Sequence, residues 1–325
     1  MPKKQQTLPK REVTKRRLAR WQRERRRRRI ILLIGVLVAA VVVGVIVYGV
    51  YATAIAPSRR VLSTVDHTSI RASDYVKALR LYSSSQMSPD GLLGILEDNE
   101  LLRQGAAPLK IAAVTDGEVT DAIKANLFPN DGEVSEDEFE KSYHQLLDSL
   151  HFSDTDFRRF IEADLLKVRF DDYWMGQVPA AALQVHARGI LLANQNEAQD
   201  VIGRLEGGED FANLAKELSL DTASKESGGD LGWFPEGLKA EEFDDKAFSL
   251  EPGTLSEPFS TQQGYWVIQV LEKEDNRPLA DDVRQQLGEA KFTDWLKNER
   301  EQKRERKVDA KELQEIHEWA TEKIG

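Results

Sequence analysis

The chain has no cysteine among its 325 residues. That excludes disulfides, thiolate metal sites, a cysteine nucleophile and a lipid-modified N-terminal cysteine. It leaves the redox compartment open, because a secreted protein can do without cysteine. Histidine is scarce as well: His67, His144, His151, His186 and His317 are the five present, and no two stand at HxxxH spacing. A metal site is therefore not expected, and nothing points to a bound cofactor. Charge itself is missing from one long stretch, Ile30 to Ser58, which Leu, Ile, Val and Ala fill without a polar stripe. About 20 apolar residues suffice to cross the hydrocarbon core of a membrane. Residues 30–52 are accordingly expected to form a transmembrane helix.

Charge is present in abundance elsewhere and is unevenly placed. Residues 1–29 hold 14 of the 45 Lys/Arg and 2 of the 55 Asp/Glu, which leaves an acidic body behind a basic head. Five arginines, Arg25 to Arg29, abut the apolar run. The positive-inside rule keeps them cytoplasmic, so residues 1–29 are a cytoplasmic tail and the chain from about residue 57 lies outside. This describes a single-pass protein of the cell membrane. A cleaved signal peptide ending at Ala52-Thr53-Ala54 is the competing reading, but its apolar core usually runs only about 7–15 residues. The arginines need no nucleic acid as partner, since topology and anionic lipid account for them.

From 57 to 180 the chain reads as helices joined by capped turns. Ser88-Pro89 offers an N-cap with proline at the first helical position, TDGE at Thr115–Glu118 and SEDE at Ser135–Glu138 are capping-box patterns, and Ser153 caps a further helix. Phe139, Tyr143, Leu146, Leu147 and Leu150 recur at helical spacing, as do Phe157, Phe160, Ile161, Leu165 and Val168. These stripes are expected to be core.

Residues 181–275 differ in character. QVHARGILLA reads as a strand; Ala198–Leu205 and Phe211–Leu218 read as helices; Phe243, Ala247 and Phe248 mark a short helix; GYWVIQVLE reads as a closing strand. The class is α+β. Between the helices lies SGGDLGWFPEG, where glycines bracket Leu231, Trp233 and Phe234. Large apolar side chains on a glycine-shaped loop suggest a surface built to receive something. Residues 276–325 return to helix. Val283, Leu287, Ala290, Phe292, Trp295 and Leu296 make one apolar face, and Leu313, Ile316, Ala320 and Ile324 make a last stripe that could dock on the helical region, a partner or a second copy. Lys297–Lys307, charged all round, reads as a solvated helix or linker.

HARGILLA, the F-x-x-L-A-x-x-x-S run of Phe211–Ser219, GGDLGWF, EEFDDKAFSL, PGTLSEPF and TQQGYWVIQV stand in the order and spacing of a parvulin-type peptidyl-prolyl isomerase domain, which this segment resembles. ILEDNELLRQGA followed by VTDGEVTDAI resembles the N-terminal chaperone region of the SurA and PrsA folding factors. The resemblance implies an extracytoplasmic isomerase and chaperone acting on unfolded or proline-containing polypeptides, beside the secretion machinery, with no cofactor. It implies a proline pocket formed by Leu231, Phe234, Leu238, Phe243 and Trp266, and polar catalytic positions at Asp221 and Thr261.

Three positions depart from the family pattern. Gly189 and Trp266 stand where parvulins carry two facing histidines, and Lys239, or Leu238 after a one-residue shift, stands where they carry a pocket methionine. His186 is three residues from Gly189, so strand parity turns it to the other face unless a bulge intervenes. Prolyl isomerisation breaks no covalent bond and needs no net proton transfer; its barrier is the partial double bond, about 18–20 kcal/mol. Two functions therefore follow from the same residues: an isomerase that works by an apolar grip, or a catalytically degenerate parvulin domain serving as a chaperone or partner-binding module.

Overall fold

The computed structural model describes residues 37, 39–49, 51, 56–82, 87–129 and 134–324. Residues 37 and 39–49 are helical, and Leu37, Val41, Ile46 and Val47 on them are exposed. The remainder of the expected span 30–52, the tail 1–29 and the site Ala52-Thr53-Ala54 lie mostly or wholly outside the described residues. Among the described residues no helix is long and apolar enough to cross a membrane.

The helical region begins with a hairpin, β1 (Val61–Val65) and β2 (Thr68–Arg71), turning at Asp66 with φ of 49°. Five helices follow: α1 (Ala72–Leu81), α2 (Pro89–Ala106), α3 (Asp116–Leu127), α4 (Glu136–Leu150) and α5 (Asp154–Gly176). Their starts are where the caps place them. Ser88, Ser135 and Ser153 each accept the backbone N–H three residues on, at 3.1, 3.4 and 3.1 Å. At Thr115 the box closes both ways, because the Glu118 carboxylate accepts the Thr115 N–H at 2.8 Å. Each such cap satisfies amides the helix leaves open and contributes about 1 kcal/mol. The α4 stripe is buried at Phe139, Tyr143 and Leu147.

On α5 the expected stripe holds only for its first half. Phe157, Phe160 and Ile161 are buried, but the stripe continues through Leu166 and Phe170, and Val168 is 57% exposed. The cause is a change of neighbour. The first half of α5 faces the core of α1, α2 and α4, whereas the second packs on the returning C-terminal helix, where Phe170 meets Trp295 at 4.8 Å between ring centres.

The second region is a four-stranded antiparallel sheet of order β4-β3-β6-β5, from β3 (Ala181–Leu192), β4 (Asp230–Pro235), β5 (Phe259–Thr261) and β6 (Gly264–Pro278). Alternation along β3 and β6 gives it two faces. Ile190, Leu192 and Val267 lie under α6 (Gln195–Glu206) and α7 (Phe211–Leu218), with Val201, Phe211 and Leu214. Val185, Ala187, Trp266, Ile268 and Val270 face the other way, against Phe234 and the short α8 (Glu241–Ser249) with Phe243 and Ala247.

The chain then returns to the helical region through α9 (Asp281–Lys303), β7 (Arg304–Arg306) and α10 (Ala310–Ile324). The reading of Lys297–Lys307 as solvated helix or linker holds as helix to Lys303 and is corrected beyond it: Arg304–Arg306 pairs antiparallel with β1, Val65 opposite Arg304 and Ser63 opposite Arg306, in a sheet of order β2-β1-β7. Its arginines converge on Glu97 of α2, which has no exposed surface: Arg306 donates at 3.1 and 3.0 Å and Arg304 at 3.1 Å. Arg300 forms a two-pronged pair with Asp98 at 2.7 and 2.5 Å. The last stripe docks on the helical region itself, with Leu313, Ile316 and Ala320 buried and His317 Nδ1 2.8 Å from the Tyr75 hydroxyl. A small cluster of Val178, Leu279 and Leu287, joined by Ala182 and Leu238, packs where the two regions meet.

Candidate functional site

The glycine loop is fastened to β3 before it can shape anything. Ser219, at the end of α7, accepts the Leu191 and Asp221 N–H groups, each at 3.2 Å. The Asp221 carboxylate then accepts from the Ser224 hydroxyl at 2.5 Å and the Ala223 N–H at 3.3 Å. Gly229 crosses β3 so closely that a Cβ there would lie 2.5 Å from the Gly189 oxygen, and the Gly189 N–H donates to the Gly229 oxygen at 2.8 Å. Its φ of 83° and this approach admit only glycine. Beyond it β4 starts, with Asp230 and Leu231 delivered to a fixed place.

What results is an open cavity of about 710 Å³ over the Trp266 face of the sheet. Leu231, Leu238, Phe243 and Trp266 supply its apolar part; Asp221, Asp230, Lys239, Thr261 and Gln263 stand around it. Phe243 and Trp266 meet edge to face, 5.2 Å apart at 84°. The geometry thus brings together all but one of the pocket and catalytic residues expected from sequence. The exception is Phe234, which is 2% exposed and does not line the cavity. It lies behind, 5.9 Å from Phe243 and 6.1 Å from Phe248, so its expected place as a pocket wall is corrected to support of that wall. The Lys239 ammonium sits 5.6 Å from the Phe234 ring centre.

The two polar positions have local bonds as well as a place on the rim. Thr261 Oγ1 donates to the Gly264 oxygen at 3.3 Å and accepts the Gln263 N–H at 3.2 Å, closing the β5–β6 turn. Asp221 is occupied by the loop as described. Neither faces an imidazole. A Cβ on Gly189 would come within 2.9 Å of Trp266 Cζ3 and 3.1 Å of Leu231 Cδ1, so the tryptophan occupies the space over the glycine and the two residues interlock.

His186 is not on the cavity. It stacks on Trp233, 5.4 Å between centres, with the Arg277 guanidinium 4.2 Å from the Trp233 ring centre. A register shift does follow His186 on β3, yet Val185 and Ala187 stay buried on the Trp266 side. His186 reaches the site through Asp230, whose Oδ1 is 2.8 Å from its Nε2 and accepts the Gly232 N–H at 2.9 Å. The Gly232 amide first, and His186 second, hold the Asp230 carboxyl below its usual range. Sequence reasoning missed Asp230, although it stands inside GGDLGWF directly after the two glycines at positive φ.

The fold and the cavity define an α+β domain with a half-apolar, half-polar bowl on one sheet face, carried on a helical region. Residues 179–274 match the PPIC-type PPIASE domain, and this segment is a domain of that family. Among curated proteins it is similar to the foldase protein PrsA of Caldanaerobacter subterraneus, 54% identical over 84 residues, which covers 26% of this chain and 28% of that one. It is also similar to the foldase protein PrsA 4 of Bacillus cereus, 33% identical over 187 residues, covering 56% and 64%. The chain thus spans less than two thirds of the length of these relatives. Of solved structures, the peptidylprolyl isomerase PrsA from Bacillus anthracis is 23% identical, with 71% of this chain and 96% of that one covered at a TM-score of 0.43.

Proposed function

We propose that the chain is an extracytoplasmic folding factor whose residues 181–275 catalyse cis–trans isomerisation of Xaa-Pro bonds in unfolded polypeptides. The observation that carries this reading is the cavity floored by Leu231, Leu238, Phe243 and Trp266 within a segment of the PPIC-type family. An apolar bowl grips the pyrrolidine ring, and a grip that fits the twisted amide better than the planar one lowers the barrier without proton transfer. Asp221 and Thr261 hold the rim and present polar atoms to the peptide backbone. Residues 57–180 with 276–325 act as the chaperone lobe, and residues 30–52 as an uncleaved anchor with residues 1–29 cytoplasmic. Its partners are unfolded or proline-containing chains, the membrane and the secretion machinery beside it, and it binds no nucleic acid.

The test is exchange NMR of Xaa-Pro peptides with the full chain. Faster cis–trans exchange than in buffer is expected. A second reading rests on the Gly189–Trp266 interlock, which leaves no imidazole at the site: the domain then binds proline segments without turning them over. Peptide binding at the uncatalysed exchange rate would select it.

A further inference from the structure

Trp266 borders the cavity and is 5% exposed overall. Its benzo edge, Cζ3 and Cε3, is turned to Gly189. The pyrrole edge with Nε1 lies on the opposite long side of the indole and so points away from β3. Phe243 stands edge to face against the ring and holds it in this setting. Trp174 and Trp319 offer a contrast: their indole nitrogens are sealed in the interior without a partner. Trp266 Nε1 has no hydrogen-bond partner among the described residues either, yet it is not among those sealed atoms. The donor is thus unengaged and still reachable, on a nearly buried ring that borders the void.

Resting on the isomerase reading above, we infer that the Trp266 indole N–H is a catalytic donor, directed at the prolyl nitrogen of the substrate. The argument is electronic. In the planar amide the nitrogen lone pair is delocalised into the carbonyl and accepts no hydrogen bond. As the bond twists, resonance is lost and the lone pair localises on nitrogen. A donor aimed there makes its bond only near the twisted state, which is the differential binding that lowers a barrier. No proton is transferred and no bond to carbon forms or breaks. The tryptophan thus supplies, in one side chain, both the bulk that fills the space over Gly189 and a donor that does not titrate.

Trp266→Phe keeps an aromatic ring and deletes the donor. In the full chain it is expected to lower kcat/KM on an Ala-Pro peptide about tenfold, the scale of one net hydrogen bond, with KM nearly unchanged. Trp266→His, which restores a donor, is expected to recover part of the loss. Trp266→Phe turning over at the wild-type rate would overturn the inference and leave the isomerase reading intact. A wild type that accelerates no peptide would overturn both. Should Trp266→Phe unfold, Trp266→His compared with Trp266→Leu decides: equal kcat/KM for the two overturns the inference.

Discussion

Gly105 in the helical region and Gly189 in the sheet use one packing device to different ends. Each gives up its side chain to a tryptophan. A Cβ on Gly105 would lie 2.5 Å from Trp295 Cζ2, and one on Gly189 would lie 2.9 Å from Trp266 Cζ3. Trp295 is backed by Phe170 and Phe292, at 4.8 and 6.1 Å between ring centres, and is itself half-buried at the edge of their cluster. Trp266 is backed by Phe243 on one side and by the cavity on another. The first interlock presses on core aromatic side chains; the second borders open space. Close packing turns a sub-ångström overlap into energy only where nothing can move aside. The same pair of residue types therefore makes a strut in one region and a surface in the other.

The largest effect should come from breaking what holds the strut region closed. Arg306 supplies two of the three bonds received by the fully buried Glu97 and also pairs with Asp90. Arg306→Ala leaves that carboxylate with Arg304 alone. Loss of a partner to a buried charge costs about 3–5 kcal/mol; the lower end is expected, because Arg306 itself is about a quarter exposed. Urea unfolding followed by circular dichroism measures it, and a midpoint equal to wild type would show that β7 is not a clasp. Peptide isomerisation under native conditions should be unaffected.

The paired glycines come next. Gly105→Ala gains roughly 1 kcal/mol of helix propensity but drives a methyl into Trp295, and overpacking costs about 1–3 kcal/mol. A net loss of about 1 kcal/mol with unchanged isomerisation is expected. Gly189→Ala should cost less stability, since Trp266 can tilt into the cavity, but should lower the isomerisation rate. Both variants changing stability equally, with neither changing rate, would erase the distinction drawn above.

What the sequence made legible was short in range. The serine and threonine caps act over three residues, and each marked its helix start. The glycine motif was legible because positive φ and close approach are demands of single positions, so GGDLGWF located Leu231 and the rim. The course of α5 beyond Ile161 was not, because a stripe shifts when the helix changes neighbours. Glu97 was hidden inside ILEDNELL, since nothing in its spacing tells that arginines some 200 residues later will bury it. Phe234 failed for a related reason: a residue between glycines on a loop can face a cavity or its back wall, and only the position of Phe243 decides.

The smallest effect tests the rim from beneath. Asp244 on α8 is 4% exposed, accepts the Gly237 N–H at 2.7 Å through one oxygen, and has its other oxygen buried without a partner. It thereby holds the turn that carries Leu238 and Lys239 to the cavity. Burial pushes its carboxyl above the usual range, although the backbone amides of Gly237 and Lys239 pull the other way; Glu236 adds to the rise and Lys239 opposes it. A folded-state value above the unfolded one means that the folded protein holds the proton more tightly. The stability Asp244 contributes is then fully present below its unfolded value, about 3.9, and is lost as pH rises through the folded value. Asp244→Asn keeps an oxygen for Gly237 and cannot ionise. Relative to wild type it should gain stability as pH is raised from about 3.5 to 7, read from unfolding midpoints at each pH. A difference that stays constant across that range would mean the carboxylate is already solvated in the folded protein, and that the rim is held by Leu238 packing against Leu287 and not by this buried bond.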